Sequence, residues 1–414
     1  MLDIKFIREN KDLIKEAARK KCVKVDIDRL LAIDEKRRAL THEVDKLRQE
    51  HKKFTDASEE ARVSKNALSQ KEFELSAVEK EFEELMLQVP NVPDPSVPEG
   101  ESDVENQEIR KWGKIKVEHG KNYLNLMQSS DMLDLERGAK VSGFRGYFLK
   151  GDAALLSVAL WQFALDFVAK KGFTSFLSPA LVRRENLVGT GWFPQAEEDV
   201  YSAKGGSASD EKTRDDIYLS GTAEIPMMGY HRDEILKEEE LPKKYVAFSS
   251  CFRREAGSYG KDQKGIFRVH EFFKVEQIVL CRADHQESVK WHEELTKNSE
   301  EIMQALGIPY RIVVNCGGDL GLGQVKKYDL EAWIPSEKRY RETHSASYFH
   351  DFQTRRLNIK YRDVDGKLRF VHSLNNTAIA TPRILEALLE NHQEPNGSIK
   401  IPVALQKYLG KELI

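Results

Sequence analysis

The first proline of this chain is Pro90 and the first glycine is Gly100. So long a run without either breaker excludes a loop-rich or hairpin-rich start and predicts helix. Cysteine is scarce as well: Cys22, Cys251, Cys281 and Cys316 are the full set. None is paired at metal-ligand spacing and no histidine cluster stands beside them, which excludes a cysteine zinc site or a disulfide framework and fits idle thiols in a reducing compartment. Charge of one sign is also lacking, since 65 Lys and Arg against 68 Asp and Glu leave a formal net charge of -3. Such a chain does not coat nucleic acid over its whole surface, so any basic contact must be local. Long apolar runs are missing too. The opening Met1-Leu2-Asp3-Ile4-Lys5 has no apolar core and is not read as a secretion signal. The longest apolar stretch, Ala153 to Ala169, contains Gln162 and Asp166 and reads as too short and too polar to span a bilayer. A soluble, cytoplasmic protein with no membrane partner is expected, and 414 residues suggest two domains.

What is present first is a heptad. Leu30, Ile33, Arg37, Leu40, Val44, Leu47, His51 and Phe54 step by three and four, a seam with two polar interruptions. A second seam runs through Leu68, Lys71, Leu75, Val78, Phe82, Leu85 and Val89. Between them Thr55-Asp56-Ala57-Ser58-Glu59-Glu60 is a polar turn in which Thr55 or Ser58 could cap the second helix. The pattern predicts an antiparallel helical hairpin over about residues 28–88, an arm about 40–45 Å long at ~1.5 Å per residue. Lys36, Arg37, Arg38, Lys46, Arg48, Lys52, Lys53, Arg62 and Lys65 lie toward its tip, and Glu72, Glu74, Glu79, Glu81, Glu83 and Glu84 toward its base. Such a run can be a solvated face or a grip for phosphates that gives affinity and register. Pro90 to Gly100 reads as a linker, placing the domains at 1–100 and 101–414. Lys204 to Glu211 reads as a polar surface loop, and Gly318 to Gly323 as a turn.

The chemistry is concentrated between Tyr245 and Leu280, where two β-rich runs flank a loop with three glycines and predict a long hairpin. By strand alternation Arg253 and Glu255 share a face. On the return strand Arg268, His270, Phe272, Lys274 and Glu276 share one face, and Phe267, Val269, Phe273 and Val275 the other. A solvated amphipathic hairpin would alternate in the same way, but with Lys, Thr and Ser rather than Arg, His, Phe and Glu. Arginine, carboxylate and ring together suit a site where a carboxylate attacks the α-phosphate of ATP. The guanidinium bridges two anions and the growing charge, the ring stacks on adenine, and the carboxylate holds an ammonium. No protein nucleophile is needed, because such catalysis is positioning plus electrostatics.

Around this hairpin the chain resembles the class II aminoacyl-tRNA synthetases, specifically the seryl-tRNA synthetases of the ordinary bacterial type, over nearly its whole length. Phe252-Arg253-Arg254-Glu255-Ala256-Gly257-Ser258 resembles motif 2. Phe176-Leu177-Ser178-Pro179-Ala180-Leu181-Val182 resembles motif 1, and Leu374-Asn375-Asn376-Thr377-Ala378 with Pro382-Arg383 resembles motif 3. Gly189-Thr190-Gly191 with Pro194 is similar to the family's TGxxP stretch, and Thr222-Ala223-Glu224 to its TAE loop. The resemblance implies an α+β fold: an N-terminal coiled-coil hairpin, then a catalytic domain on a mostly antiparallel sheet flanked by helices. It implies activation of L-serine by ATP and transfer to tRNA(Ser), with tRNA(Sec) as a further acceptor. Serine would be held by Thr222, Ala223, Glu224, Arg253, Glu276 and Thr377. ATP would be held by Arg253, Arg254, Glu255, Arg268, Val269, Phe272, Glu342, Thr343, His344, Ser345 and Arg383, with Arg253 and Arg383 catalytic. Glu342 and Ser345 would ligate Mg²⁺, whose preference for hard oxygen they meet. Pro382 as first helical residue would set Arg383 at a helix N-terminus. The arm would hold the tRNA's long variable arm by shape, and the chain would be a homodimer with no DNA partner.

This sequence departs from the family pattern at several places. Gly146 follows Arg145 where an aromatic is usual, Ala346-Ser347-Tyr348-Phe349-His350 follows Ser345, and Asn376-Thr377-Ala378 stands in motif 3. The Lys204–Asp216 loop is longer than usual, and no zinc-ligand set like that of the zinc-dependent serine enzymes appears. Serine is too small to be selected by size, so buried groups that must bond its hydroxyl have to select it; Glu276 and Thr377 are the candidates. Two other readings are a synthetase relative that charges a carrier protein and a non-enzymatic coiled-coil interaction protein. The first would lack the arm or the site residues, and the second leaves the Arg–Glu–Phe face unexplained. A P-loop enzyme is excluded, since no Gly-Lys pair is followed by Ser or Thr.

Overall fold

The computed structural model describes residues 1–53, 59–115, 120–204, 216–256, 262 and 264–414. Phe54, the candidate caps Thr55 and Ser58, most of the Lys204–Asp216 loop, and Gly257 and Ser258 of motif 2 lie outside the described residues. The chain divides into two compact units, Met1–Val92 and Pro93–Ile414.

In the first unit α1 (Ile4–Glu9) and α2 (Lys11–Lys20) precede two long helices, α3 (Ile27–His51) and α4 (Glu59–Met86). Asp26 caps α3 by accepting from the Arg29 N–H at 2.9 Å, which satisfies one of the four orphan donors of a helix start. Of the heptad positions Leu30, Leu40, Val44, Leu75, Val78 and Val89 are buried, and the other described ones are half-buried. Leu40 and Val44 meet Leu75 and Val78 in one cluster. Ile7 and Ile14 close the base over Ile27, Leu30, Met86 and Val89.

The polar interruption at Arg37 has a structural cause. Its guanidinium stacks on Phe82 at 4.5 Å and meets Asp34 at 2.9 Å. Asp34 is fully buried and also takes Arg8 at 3.4 Å and Arg38 at 3.2 Å. A carboxylate is tolerated at such a place because it is multiply paired. Other cations pair across the hairpin: Arg48 with Glu72 at 2.8 Å and Lys36 with Glu74 at 3.7 Å. The split into a basic tip and an acidic base is therefore less sharp than expected, because Lys36, Arg37, Arg38 and Arg48 are engaged with carboxylates of their own unit. Among the described residues Lys46, Lys52, Lys53 and Lys65 form no such pair.

The expected linker differs from what is found. Residues 93–100 are fastened to the second unit, so the boundary falls at Val92 and Pro93 rather than at 100. Tyr348 donates to the Asp94 carboxylate at 2.8 Å, and the Gly317 and Gly318 amides donate to Pro98 and Gly100 carbonyls at 3.0 and 2.9 Å. Prolines here remove N–H groups but leave extended carbonyls free to accept, so a composition typical of a linker serves as an anchored strap.

Among the described residues eight strands make the main sheet: β1 (Gln107–Trp112), β2 (Thr174–Leu177), β3 (Lys243–Phe252), β4 (Glu271–Cys281), β5 (Tyr310–Val314), β6 (Lys326–Ile334), β7 (Arg339–His350) and β8 (His372–Thr381). Their order is β1-β5-β6-β7-β8-β4-β3-β2. Only the β2–β3 pair is parallel, so the sheet is mostly antiparallel, as expected. Helices α5 (Gly151–Ala169), α6 (His285–Ala305) and α7 (Arg383–His392) share one apolar core with it. Along β4 the alternation decides each side chain's job. Val275 and Val279 enter that core and Gln277 donates to α6, while Ile278 and Leu280 join a second cluster on the other side.

By length and composition α5 could cross a bilayer, contrary to the reading of its sequence. Its apolar content has another explanation, since Leu156, Leu160, Ala164 and Val168 are sealed in the core. Fully burying one such side chain contributes about 1.5–3 kcal/mol.

Candidate active site

Two adjoining cavities of about 330 and 320 Å³ open on the sheet where β3, β4, β7 and β8 meet. Arg253, Lys274, Gln324, Ser345 and Thr377 line both. The first also holds Thr222, Glu224, Glu276 and Trp192; the second holds Glu255, Arg268, Val269, Phe272, Glu342, Thr343, His344 and Arg383. Nearly every residue expected at a serine or nucleotide site is thus on one of two connected walls. The exceptions are Ala223, which is buried in the second apolar cluster, and Arg254, which is exposed and lines neither cavity.

The expected long hairpin is β3 and β4, but its regular pairing stops at Phe252 and Glu271. Arg253 to Glu255 and Arg268 to His270 lie beyond the strands, so alternation does not assign their faces. Phe267 and Val269, expected opposite Arg268, line the same cavity with it. What positions Arg253 is a set of local contacts. Its N–H donates to the His270 carbonyl at 2.9 Å, and its guanidinium lies 5.5 Å from the Trp192 ring and 5.3 Å from the Phe272 ring. Two flat rings restrict a planar cation to few orientations. Its Nε is buried and unpaired among the described residues, a donor left for a ligand.

Two β-bulges set the rest of the cavity wall. On β8, Glu276 pairs with Thr377 while Val275 pairs with Ile379, so Ala378 is the extra residue. On β7, Leu330 pairs with His344 while Glu331 pairs with Glu342, so Thr343 is extra. In a regular strand residues three apart face opposite sides. The bulges cancel that rule, so Thr377 and Ala380 reach the same cavity, as do Glu342 and Ser345. His344 joins the two bulges. Burial lowers its imidazole to about 4, so it is neutral: Nε2–H donates to the Ala378 carbonyl at 3.1 Å and Nδ1 accepts from the Thr343 hydroxyl at 2.8 Å. Thr343 and His344, expected as ATP contacts, are buried and spend their side chains on the sheet itself.

Glu276 is 2% exposed. Its Oε2 meets the Lys274 ammonium at 2.7 Å and accepts from the Thr377 hydroxyl at 3.1 Å. A small hydroxyl compound entering here meets a fixed carboxylate and a hydroxyl whose proton is already committed. Beneath it, Asn376, a departure from the family pattern, donates to the Leu295 carbonyl and to Ser299 at 2.5 and 2.9 Å, fastening β8 to α6. The departure at 346–350 is divided: Ala346 and Tyr348 enter the core, while Ser347 and Phe349 line the cavity.

On the second wall Arg268 meets Glu255 at 2.5 Å. Arg383 donates to the Glu342 carbonyl at 3.0 Å and lies 4.4 Å from the Phe267 ring, which also carries Arg341 at 3.6 Å. Pro382 is the N-cap rather than the first helical residue, and Arg383 itself begins α7. Desolvation would raise the Glu342 carboxyl, but Arg383, Lys327 and Arg253 outweigh it and hold it below the ordinary range. Glu342 and Ser345 offer a carboxylate and a hydroxyl on one wall, a donor set that fits Mg²⁺ carried on phosphates.

Trp192, Lys274, Lys327 and Gln353 were not assigned a site role from sequence. Trp192 falls inside the Thr190–Pro194 stretch, so its position was the available signal. Gln353 lies outside every motif and carried none.

Known proteins match over both units. Residues 1–93 match the family described as Seryl-tRNA synthetase N-terminal domain, and 204–392 the tRNA synthetase class II core domain (G, H, P, S and T). A serine--tRNA ligase of Deinococcus radiodurans is 47% identical over 99% of this chain and 98% of its own. The crystal structure of seryl-tRNA synthetase from Pyrococcus horikoshii complexed with ATP superposes with a TM-score of 0.88 at 39% identity, covering 100% of this chain and 99% of that one. The cytoplasmic serine-tRNA ligase of Naegleria fowleri in complex with AMP gives 0.86 at 33% identity, covering 100% and 98%.

Proposed function

Because the chain belongs to the seryl-tRNA synthetases, we propose that its two cavities are a serine pocket and an ATP pocket that meet at Arg253. The observation that carries this reading is the arginine common to both, held between two rings. A carboxylate oxygen of serine attacks the α-phosphorus, the bond to the β-phosphate oxygen breaks, and pyrophosphate leaves. Seryl-adenylate remains. A terminal ribose hydroxyl of tRNA then attacks the seryl carbonyl and AMP leaves.

Arg253 lies against both anions and the charge that develops between them. Glu224 and Glu276 take the ammonium. Glu276 and Thr377 take the hydroxyl, and leaving them unpaired penalises alanine and glycine. Arg268 and Arg383 flank the nucleotide side, with Phe272 beneath adenine. Glu342 and Ser345 would hold Mg²⁺, which supplies charge neutralisation on the phosphates when bound. The reading is tested by serine-, threonine-, alanine- and glycine-dependent exchange of pyrophosphate into ATP. Serine should exceed alanine and glycine by about 10⁴-fold in kcat/KM, the discrimination of a pocket built to bond a hydroxyl; preference for another amino acid sinks it.

The acceptor is tRNA(Ser), and tRNA(Sec) by the same grip, held at the hairpin through Lys46, Lys52, Lys53 and Lys65, while Lys36, Arg37, Arg38 and Arg48 also answer to carboxylates of their own unit. The place of action is the cytoplasm. A homodimer is supported by apolar surface on neighbouring elements: Phe148, Leu155, Val158 and Leu177 are 45, 54, 50 and 81% exposed. Monomeric soluble proteins seldom leave such a face open. Leu177→Asp combined with Val158→Asp is expected to halve the mass measured by light scattering. A wild-type chain that is already monomeric would remove the dimer.

A further inference from the structure

Glu224 is a carboxylate in a desolvated place, 7% exposed on the wall of the serine-side cavity. Burial pushes its carboxyl up to about 7; the Gln353 amide opposes the rise, Glu276 adds to it, and Lys274 and Arg253 oppose it. Arg356, on the same short helix as Gln353, meets the Val188 carbonyl at 2.9 Å and the Phe352 ring.

Gln353 is 1% exposed. Its Nε2 donates to Glu224 Oε1 at 2.6 Å and to the Thr190 carbonyl at 3.1 Å. Its Oε1 accepts from the Ser373 hydroxyl at 2.7 Å. A peptide carbonyl only accepts, so the atom facing Thr190 must be the amide nitrogen, and the amide has one workable orientation. The atom facing Glu224 is therefore always a donor. A donor that cannot titrate favours the ionised carboxylate over the acid.

We propose that Gln353 is a positioning residue for amino-acid recognition: it holds Glu224 as an anionic acceptor toward the serine pocket, and Ser373 holds Gln353. The proposal rests on the assignment of that cavity to the amino acid. It ties four separate pieces of chain together: the end of the Arg184–Thr190 helix, the TAE loop, the Phe352–Arg356 helix and, through Ser373, β8. Without the amide, Glu224 takes a proton at a higher pH and stops accepting the substrate ammonium.

The test is pyrophosphate exchange by the full chain, with KM for serine and for ATP, kcat and melting temperature measured between about pH 6 and 9, where kcat/KM reports groups of the free enzyme. Gln353→Met keeps the volume and removes the donor. It should raise the serine KM by roughly 10- to 100-fold, the range for a lost hydrogen bond to a charged group, and leave the ATP KM unchanged. The acid limb of kcat/KM for serine should move to higher pH, because activity falls as pH drops through the Glu224 value and that value rises. Ser373→Ala should move both quantities the same way by less. Gln353→Glu should be poorest at neutral pH, where two carboxyls share one proton. A folded Gln353→Met enzyme with an unchanged serine KM and acid limb overturns the proposal. So does an equal rise in both KM values with an unshifted limb, which marks a merely structural role. If Gln353→Met does not fold, Ser373→Ala decides alone by the same two readouts. Absence of serine-dependent exchange in the wild type would instead overturn the assignment of the cavity.

Discussion

Arg253→Ala is expected to lower serine-dependent exchange of pyrophosphate into ATP by at least about 10²–10³-fold, the loss found when one preorganised oxyanion donor is removed, or ~2.7–4 kcal/mol. The larger end applies if the proposed reading holds, because this guanidinium borders both cavities and would answer to two anions at once. Its rings at 5.5 and 5.3 Å, and an Nε with no partner among the described residues, mean that little reorganisation is left for the reaction. Arg253→Lys should recover little, since an ammonium is a point charge and cannot bridge two oxygens side by side. Melting temperature should change little, because among the described residues the guanidinium's hydrogen bonding is one long contact with the Gly221 carbonyl at 3.4 Å. Near-normal exchange by a folded Arg253→Ala enzyme would remove the shared-arginine reading of the site.

Removing the outer hairpin should separate the two half-reactions. Deleting residues 41–74 and joining Leu40 to Leu75 with a short glycine turn keeps the base cluster of Ile7, Ile14, Ile27, Leu30, Met86 and Val89. It removes Lys46, Arg48, Lys52, Lys53, Arg62 and Lys65. Exchange should be unchanged, while tRNA charging should fall roughly 10²-fold or more, because several phosphate contacts vanish together. The residual charging should also lose its steep dependence on salt. Undiminished charging would mean that the hairpin has another job.

Much of this was legible in the sequence, for unequal reasons. The hairpin was readable because a seam repeats, and repetition survives interruptions such as Arg37. The reason for that interruption was not readable: Asp34 gathers Arg8, Arg37 and Arg38 from two helices, and nothing local announces it. The site's residue types were legible because arginine, glutamate and ring on one short stretch are uncommon on a solvated face. Their exact neighbours were not. Strand alternation does not hold past Phe252 or before Glu271, where the ladder has already ended. Residues 93–100 read as a linker because proline composition reports on missing donors, whereas docking depends on acceptors. Gln353 was invisible because its role comes from three segments distant in sequence.

The paired bulges also bear on how such a site can change. Each strand carries a residue's parity, odd or even, from the core to the cavity, and one extra residue flips it. At Thr343 and Ala378 the flip occurs at the pocket, so each strand shows the cavity one parity before its bulge and the other after it. A one-residue deletion there would exchange the side chains shown to substrate without substituting any of them. His344 touches both flips, so the two parities are latched to each other. Part of this pocket's chemistry is thus written in the count of residues rather than in their identity.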